Sequence, residues 1–415
     1  MSQYYLCELI QFIISLSVCR KPIITNFLRY NVFELSCCLN FTHAIVQGAY
    51  FDSALLALAR WPSGMLPVLS IIQDAFEPGP DQKPAFAQPI VFFRLDPCLS
   101  VLLHSPSMAP SLRALRLRIP SRQIIRSMCG ATVTPSGTAP YYPSDLNPPP
   151  DLDFLDLSTC NVLENEVDMI LVRFPSLKHL VLDGCYFLRG EIREGDWNAL
   201  GKRCALAGVR RAKQREKSLK AWIEAREQST SQEIDLVNVA RRVKRGRRGL
   251  ATATISLRDS GPPSPSGSQS VSATSVNNTP IKKAVKIRIL PSEPTLKTLS
   301  VTISPSVNPD KYPMIRAEFD AGWAEGVALL AVTKARLRSS ANHGFRVMRT
   351  FSAIDSELEG QDSGLEDIDA DDDAAFGAPE NSPPPVLCFA GPSRSMNHEE
   401  NCGHSVGWDL MKDEL

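Results

Sequence analysis

Cysteine and histidine are the residue types here most able to do chemistry, and their spacing is informative at one place. Six histidines are scattered through 415 residues, but His398, Cys402 and His404 stand as H-x-x-x-C-x-H with Cys388 upstream. Thiolate and imidazole are the ligands of structural zinc, which takes four of them at matched spacing. This set reads as a half-site in a flexible tail, so the expectation is no metal and no cofactor. Asp371-Asp372-Asp373 lacks the alternation and the Gly of a calcium loop and reads as a solvated acidic run. The phosphate-cradling G-x-x-x-x-G-K-[ST] and G-x-G-x-x-G, the nucleophile elbow G-x-S-x-G and the zinc-protease H-E-x-x-H are all absent. No catalytic residue is assigned, and a non-enzymatic role is expected.

What remains is a positional pattern. L-x-x-L-x-L-x-x-C occurs as Leu152, Leu155, Leu157, Cys160 and again as Leu177, Leu180, Leu182, Cys185, offset by 25 residues. Pro150 and Pro175 stand two positions before each first leucine. Alternation at Leu155 and Leu157 predicts a short strand with one buried face. The period fits a leucine-rich repeat, one strand and one helical return per turn, with Cys160 and Cys185 facing backbone at the closing turn. Between the copies, Leu163, Val167, Ile170, Leu171 and Phe174 recur at helical steps, as expected of a helix packed behind the strands.

Looser copies extend the pattern. Leu112, Leu115 and Leu117 follow Pro110, and Leu296, Leu299 and Val301 follow Pro294. Further on, Ile315, Phe319, Trp323, Val327 and Leu330 form one helical stripe, Asn342-His343-Gly344 supplies a stop, and Phe345 to Phe351 has strand character. This helix and strand read as another repeat turn or as a cap.

Composition interrupts the array. Residues 202–248 hold 15 Lys or Arg against five Asp or Glu, and residues 256–280 are Ser-, Pro- and Gly-rich with few large apolar groups. The latter cannot bury enough surface to offset chain entropy and are expected to be disordered. Ten Asp or Glu between Asp355 and Asp373 balance the basic stretch, and net charge is zero. The fold class expected is α/β, an irregular leucine-rich-repeat, solenoid-like array with long disordered insertions and a disordered tail. Its divisions are an apolar helical N-terminal region over 1–88, repeats over 89–199, and a basic helix and basic cluster over 200–255. A Ser/Pro-rich linker at 256–285, a further repeat-like strand, helix and cap at 286–352, and an acidic tail at 353–415 complete it.

Two address signals compete. Arg241, Arg242, Lys244, Arg245, Arg247 and Arg248 form a candidate nuclear import cluster. Without interleaved aromatics to stack bases, it is a poor single-strand nucleic-acid reader. Lys412, Asp413, Glu414 and Leu415 spell an endoplasmic reticulum retrieval signal. The apolar run from Leu9 to Cys19 has signal-peptide length, yet Glu8 abuts it and the first basic residue is Arg20. That run is too short to span a bilayer, so no transmembrane segment is expected. Eleven cysteines without disulfide spacing suit a reducing compartment. Cytoplasm or nucleus is the expected location, with the endoplasmic reticulum lumen as the alternative.

Residues 110–185 resemble the leucine-rich repeats of fungal F-box proteins, most closely at Pro175-Ser176-Leu177-Lys178-His179-Leu180-Val181-Leu182-Asp183-Gly184-Cys185. That resemblance implies repeats that bind a substrate and an N-terminal F-box that recruits the adaptor subunit of a cullin–RING ubiquitin ligase. The best F-box candidate is Leu66-Pro67 with the apolar run to Phe76, expected to be a short helix presenting Leu69, Ile72 and Phe76. The expected function is therefore a protein-binding repeat module, with an F-box-like ligase adaptor as its finer form. A lumenal retained protein and a nuclear nucleic-acid-associated protein are the alternatives. Asp153, Asp156, Lys178, Val181 and Asp183 are the expected partner-binding face, between the repeat leucines.

Overall fold

The computed structural model describes residues 32–37, 55–56, 58–60, 66–73, 94–106, 108–129, 150–185, 195–224, 286–303, 307–350, 365–369, 371–377 and 382–411. The fold is α/β with a parallel sheet. Seven strands run β1 (Val32–Cys37), β2 (Val68–Gln73), β3 (Ala114–Arg118), β4 (Phe154–Asp156), β5 (His179–Val181), β7 (Thr298–Ser300) and β10 (Val386–Cys388), neighbour to neighbour in that order. Every pairing in it is parallel. A second sheet joins β6 (Ile287–Ile289), β8 (Arg346–Thr350) and β9 (Leu365–Ile368).

The leucine spacing becomes register. Leu115 pairs with Leu155, Leu155 with Leu180, Leu180 with Leu299, and Leu299 with Leu387. All five are buried in one cluster. Side chains alternate across a strand, so this row defines one face of the sheet. Behind it pack α1 (Leu95–Leu103), α2 (Ile125–Cys129), α3 (Glu164–Arg173), α4 (Asp196–Ala205) and α5 (Tyr312–Asn342). Parallel strands need such crossovers, and covering helices follow from them. The expected helix over Leu163–Phe174 is α3; it starts where the Glu166 carboxylate accepts from the Leu163 N–H at 2.8 Å.

The two cysteines of the pattern occupy equivalent places. Cys160 donates to the Leu117 carbonyl at 3.1 Å and Cys185 to the Leu157 carbonyl at 3.5 Å. Thr159 and Gly184, just before them, both take left-handed φ, 69° and 68°. Burial pushes the Cys160 thiol up to about 12, as suits a packing residue rather than a nucleophile.

The opposite face is also covered. After the short α6 (Asp373–Phe376), helix α7 (Gly403–Met411) lies on it, with Met411 packed among Val68, Ala114, Phe154 and Val181. A Cβ at Gly407 would stand 2.8 Å from Phe154 Cζ, and one at Gly403 would stand 2.8 Å from Ser300 Oγ and 3.1 Å from Val181 Cγ2. Absent side chains at these i, i+4 positions let the helix backbone rest directly on the strands.

Several expectations need correction. Residues 68–73 form β2, a strand inside the main sheet, not a helix presenting Leu69 and Ile72. A short continuous apolar run fits either element by pattern, and pairing with β3 decides for the strand; Phe76 lies outside the described residues. β1 and β2 carry the sheet into the 1–88 region that was set apart from the repeats. Helix α5 and strand β8 form where the stripe and stop place them, but β8 joins the second sheet, so the pair makes no turn of the main sheet. Residues 386–411 are not flexible tail: they supply a strand of the main sheet and the helix on its second face. Among the described residues no helix is long and apolar enough to cross a membrane.

Candidate metal centre

Strand β10 ends at Cys388, which is buried at the edge of the main sheet beside β7. The chain then runs irregularly to Cys402 before α7 begins at Gly403. This excursion returns His398, Cys402 and His404 to Cys388. One ligand-type atom from each of the four residues lies within 4.8 Å of the others. Cys388 Sγ is 3.6 Å from His398 Nδ1, Cys402 Sγ is 3.7 Å from the same nitrogen, and Cys402 Sγ is 3.8 Å from His404 Nδ1.

Both imidazoles are oriented by their outer nitrogens. His404 Nε2 donates to Asp183 Oδ2 at 2.7 Å, and His398 Nε2 donates to the Ser393 carbonyl at 2.8 Å. Asp183 also accepts from Thr302 Oγ1 at 2.8 Å, so its carboxylate joins the turn after β5, the turn after β7 and α7. Trp408 closes the outside, edge-on to His398 at 4.8 Å between ring centroids, and the Arg394 guanidinium sits 5.0 Å from the Trp408 ring.

The electrostatics follow from this crowding. The hydrogen bond between the two thiols holds Cys402 well below the usual thiol range, against its burial, and pushes Cys388 up. Burial pulls His404 down, but the hydrogen bonds its ring donates to Asp183 and Cys402 outweigh it and raise the ring to about 9. The site thus favours a thiolate beside an imidazolium held by a carboxylate, an order also found in nucleophilic triads. Cys402 is 0% exposed and His404 4%. Two soft sulfurs and two imidazole nitrogens facing one point form a donor set for a d10 ion.

The sequence named these four residues but placed them in a tail without a common centre. The structure corrects that placement because β10 enters the sheet. In the sheet, Leu115, Leu155, Leu180 and Leu299 each follow a proline by five positions, whereas the position five before Leu387 is Ser382. The last strand therefore escapes the pattern. Asp183, read as a partner contact, was missed as the carboxylate behind His404, since that pairing spans 221 positions.

The expected partner-binding residues divide. Asp156 is 1% exposed and bound by Arg116 and Arg118, Val181 is 1% exposed beneath α7, and Asp183 is 3% exposed. These three are corrected from a surface role, because α7 and its approach cover that face. Asp153 and Lys178 remain half-exposed, paired with each other at 2.7 Å. Arg241, Arg242, Lys244, Arg245, Arg247 and Arg248, the terminal Lys412 to Leu415, and the apolar run from Leu9 to Cys19 lie outside the described residues.

No protein-family model matches the chain, and no curated protein or solved structure matches it either.

Proposed function

We propose that this chain is a non-enzymatic protein-binding module built on a leucine-rich-repeat-like sheet, whose partner reads the rim where the strands begin. The leucine row in register and the matching Cys160 and Cys185 contacts support the repeat reading. One observation carries the binding reading: a ladder of charged residues, one per strand, along that rim. The Asp153 N–H donates to the Arg113 carbonyl, the Lys178 N–H to the Asp153 carbonyl and the Lys297 N–H to the Lys178 carbonyl. Neighbouring strands are about 4.8 Å apart, so the four side chains span roughly 15 Å. Their side chains are open to water, with Arg113 39% and Lys178 43% exposed. Repeat folds bind partners through such one-residue-per-strand rows.

β2 replaces the helical segment on which the ligase-adaptor reading rested, so the proposal stops at protein binding. The test compares proteins recovered from cells by proximity labelling with the unaltered chain and with Lys178→Glu/Lys297→Glu. Loss of a defined partner set from the rim variant, with retention in Lys220→Glu on the helical segment 207–224, supports the proposal. An identical set from all three chains contradicts it.

A further inference from the structure

We propose that Cys388, His398, Cys402 and His404 bind one Zn²⁺ as a closed structural centre that fastens residues 386–411 across the second face of the main sheet. A tetrahedron with metal–sulfur bonds of ~2.3 Å and metal–nitrogen bonds of ~2.05 Å has sulfur–nitrogen edges of about 3.6 Å. Three of the four such separations in the cluster are 3.6, 3.7 and 3.8 Å, and all four ligand atoms lie within 4.8 Å of one another. Ordinary hydrogen bonding does not require four donors to share one centre at this spacing.

The outer nitrogens give an independent sign. A histidine that ligates a metal through one ring nitrogen almost always donates the other to a carboxylate or a backbone carbonyl. His404 does the first, with Asp183, and His398 does the second, with Ser393. Both rings are thereby set with Nδ1 toward the sulfurs.

The chain between the ligands supplies a physical need. Residues 389–402 contain no helix or strand, and fixing each residue costs roughly 1–2 kcal/mol of backbone entropy. Beyond Phe389, which packs against Trp197 and Tyr312, the segment buries few large apolar side chains. A metal bound only in the folded state orders such a segment directly.

Four protein ligands leave no position for a substrate, so the centre is structural rather than catalytic. Two thiolates and two imidazoles favour Zn²⁺ over Mg²⁺ or Ca²⁺, which take oxygen ligands. On binding, any proton still held by the two thiols or by the ring nitrogens that face the metal passes to solvent, and the metal keeps its oxidation state. The proposal is independent of the partner at the rim.

The experiment is elemental analysis of the full, untagged chain, purified under reducing conditions and dialysed against metal-free buffer. One zinc per chain is expected, falling to less than a tenth of that in Cys402→Ser and His404→Ala and unchanged in Cys98→Ser. Because a ligand variant can lose metal by unfolding, the unaltered chain is also stripped with a chelator and titrated with Co²⁺. A thiolate-to-cobalt charge-transfer band saturating at one equivalent is expected. A folded, reduced chain with neither zinc nor that band overturns the proposal. So does zinc that persists in both ligand variants, and so does a Cys388–Cys402 disulfide in the freshly purified chain.

Discussion

His404 and Asp183 are joined by a 2.7 Å hydrogen bond across 221 positions of sequence. Asp183 follows β5 in the middle of the sheet, whereas His404 opens the helix that covers it. The bond ties the last helix to the repeat-like strands and sets the tautomer of a ring aimed at two sulfurs. Carboxylates behind ligating histidines typically contribute 10- to 100-fold in metal affinity. Asp183→Asn is expected to weaken Zn²⁺ binding by about that factor, read by competition with a chromophoric chelator. Unchanged affinity removes Asp183 from the centre.

The seating of α7 depends on two missing side chains. Gly407→Val places methyl groups where Phe154, itself 1% exposed, already fills the space. Overpacking of this kind costs about 1–3 kcal/mol. The variant should melt earlier, with faster amide exchange confined to 403–411. Exchange that does not change would mean α7 does not rest on β4.

The sheet core supplies a control with no link to the metal. Leu180 is 0% exposed and sits between Leu155 and Leu299 in the buried row. Leu180→Ala is expected to cost about 2–5 kcal/mol by denaturant unfolding. Leu180→Asp should cost more, because a carboxylate enters the core without a partner. A midpoint unchanged in either variant argues against the shared core.

Asp156 should make stability fall at acid pH. Its carboxyl is pushed up by burial, but the Arg118 and Arg116 guanidiniums and the Ser158 hydroxyl together hold it below its ordinary 3.8. A folded value below the unfolded one means the contribution is complete above 3.8 and is lost as pH falls through the depressed value. Asp156→Ala, which leaves the 2%-exposed Arg116 without this carboxylate, should cost about 3–5 kcal/mol near neutral pH. Its stability curve should also be flatter than the parent's below pH ~4. A variant as acid-sensitive as the parent assigns that loss to other groups.

How far the sequence reached follows from the range of each signal. The 25-residue offset gave the β4–β5 register directly, because Leu155 and Leu180, 25 positions apart, pair across the two strands. Helices α3 and α5 were legible from apolar stripes that a single face must bury. β2 was misread because Val68 and Ile72 on one face and Leu69 and Ile71 on the other are all apolar, which erases the alternation that marks a strand. β10 was missed because it joins the sheet 88 positions after its neighbour β7, without the proline spacing of the earlier strands. The second face looked open from the repeats alone. Only the glycines at 403 and 407, with Met411, hint that a helix lies there, and such spacing has no meaning until the sheet beneath is known. The four ligands were visible as residue types, but their convergence needed β10 in place.

The most direct measurement of the central claim is zinc K-edge X-ray absorption on the purified, unaltered chain. The geometry of Cys388, His398, Cys402 and His404 calls for a four-coordinate shell of two sulfurs at about 2.3 Å and two nitrogens at about 2.0–2.1 Å. Replacing Cys388 by Ser should remove the zinc, and the absorption edge with it, as in the other ligand variants. A shell of oxygen and nitrogen alone, or no zinc in a chain shown to be folded and reduced, would contradict a metal-fastened C-terminal segment.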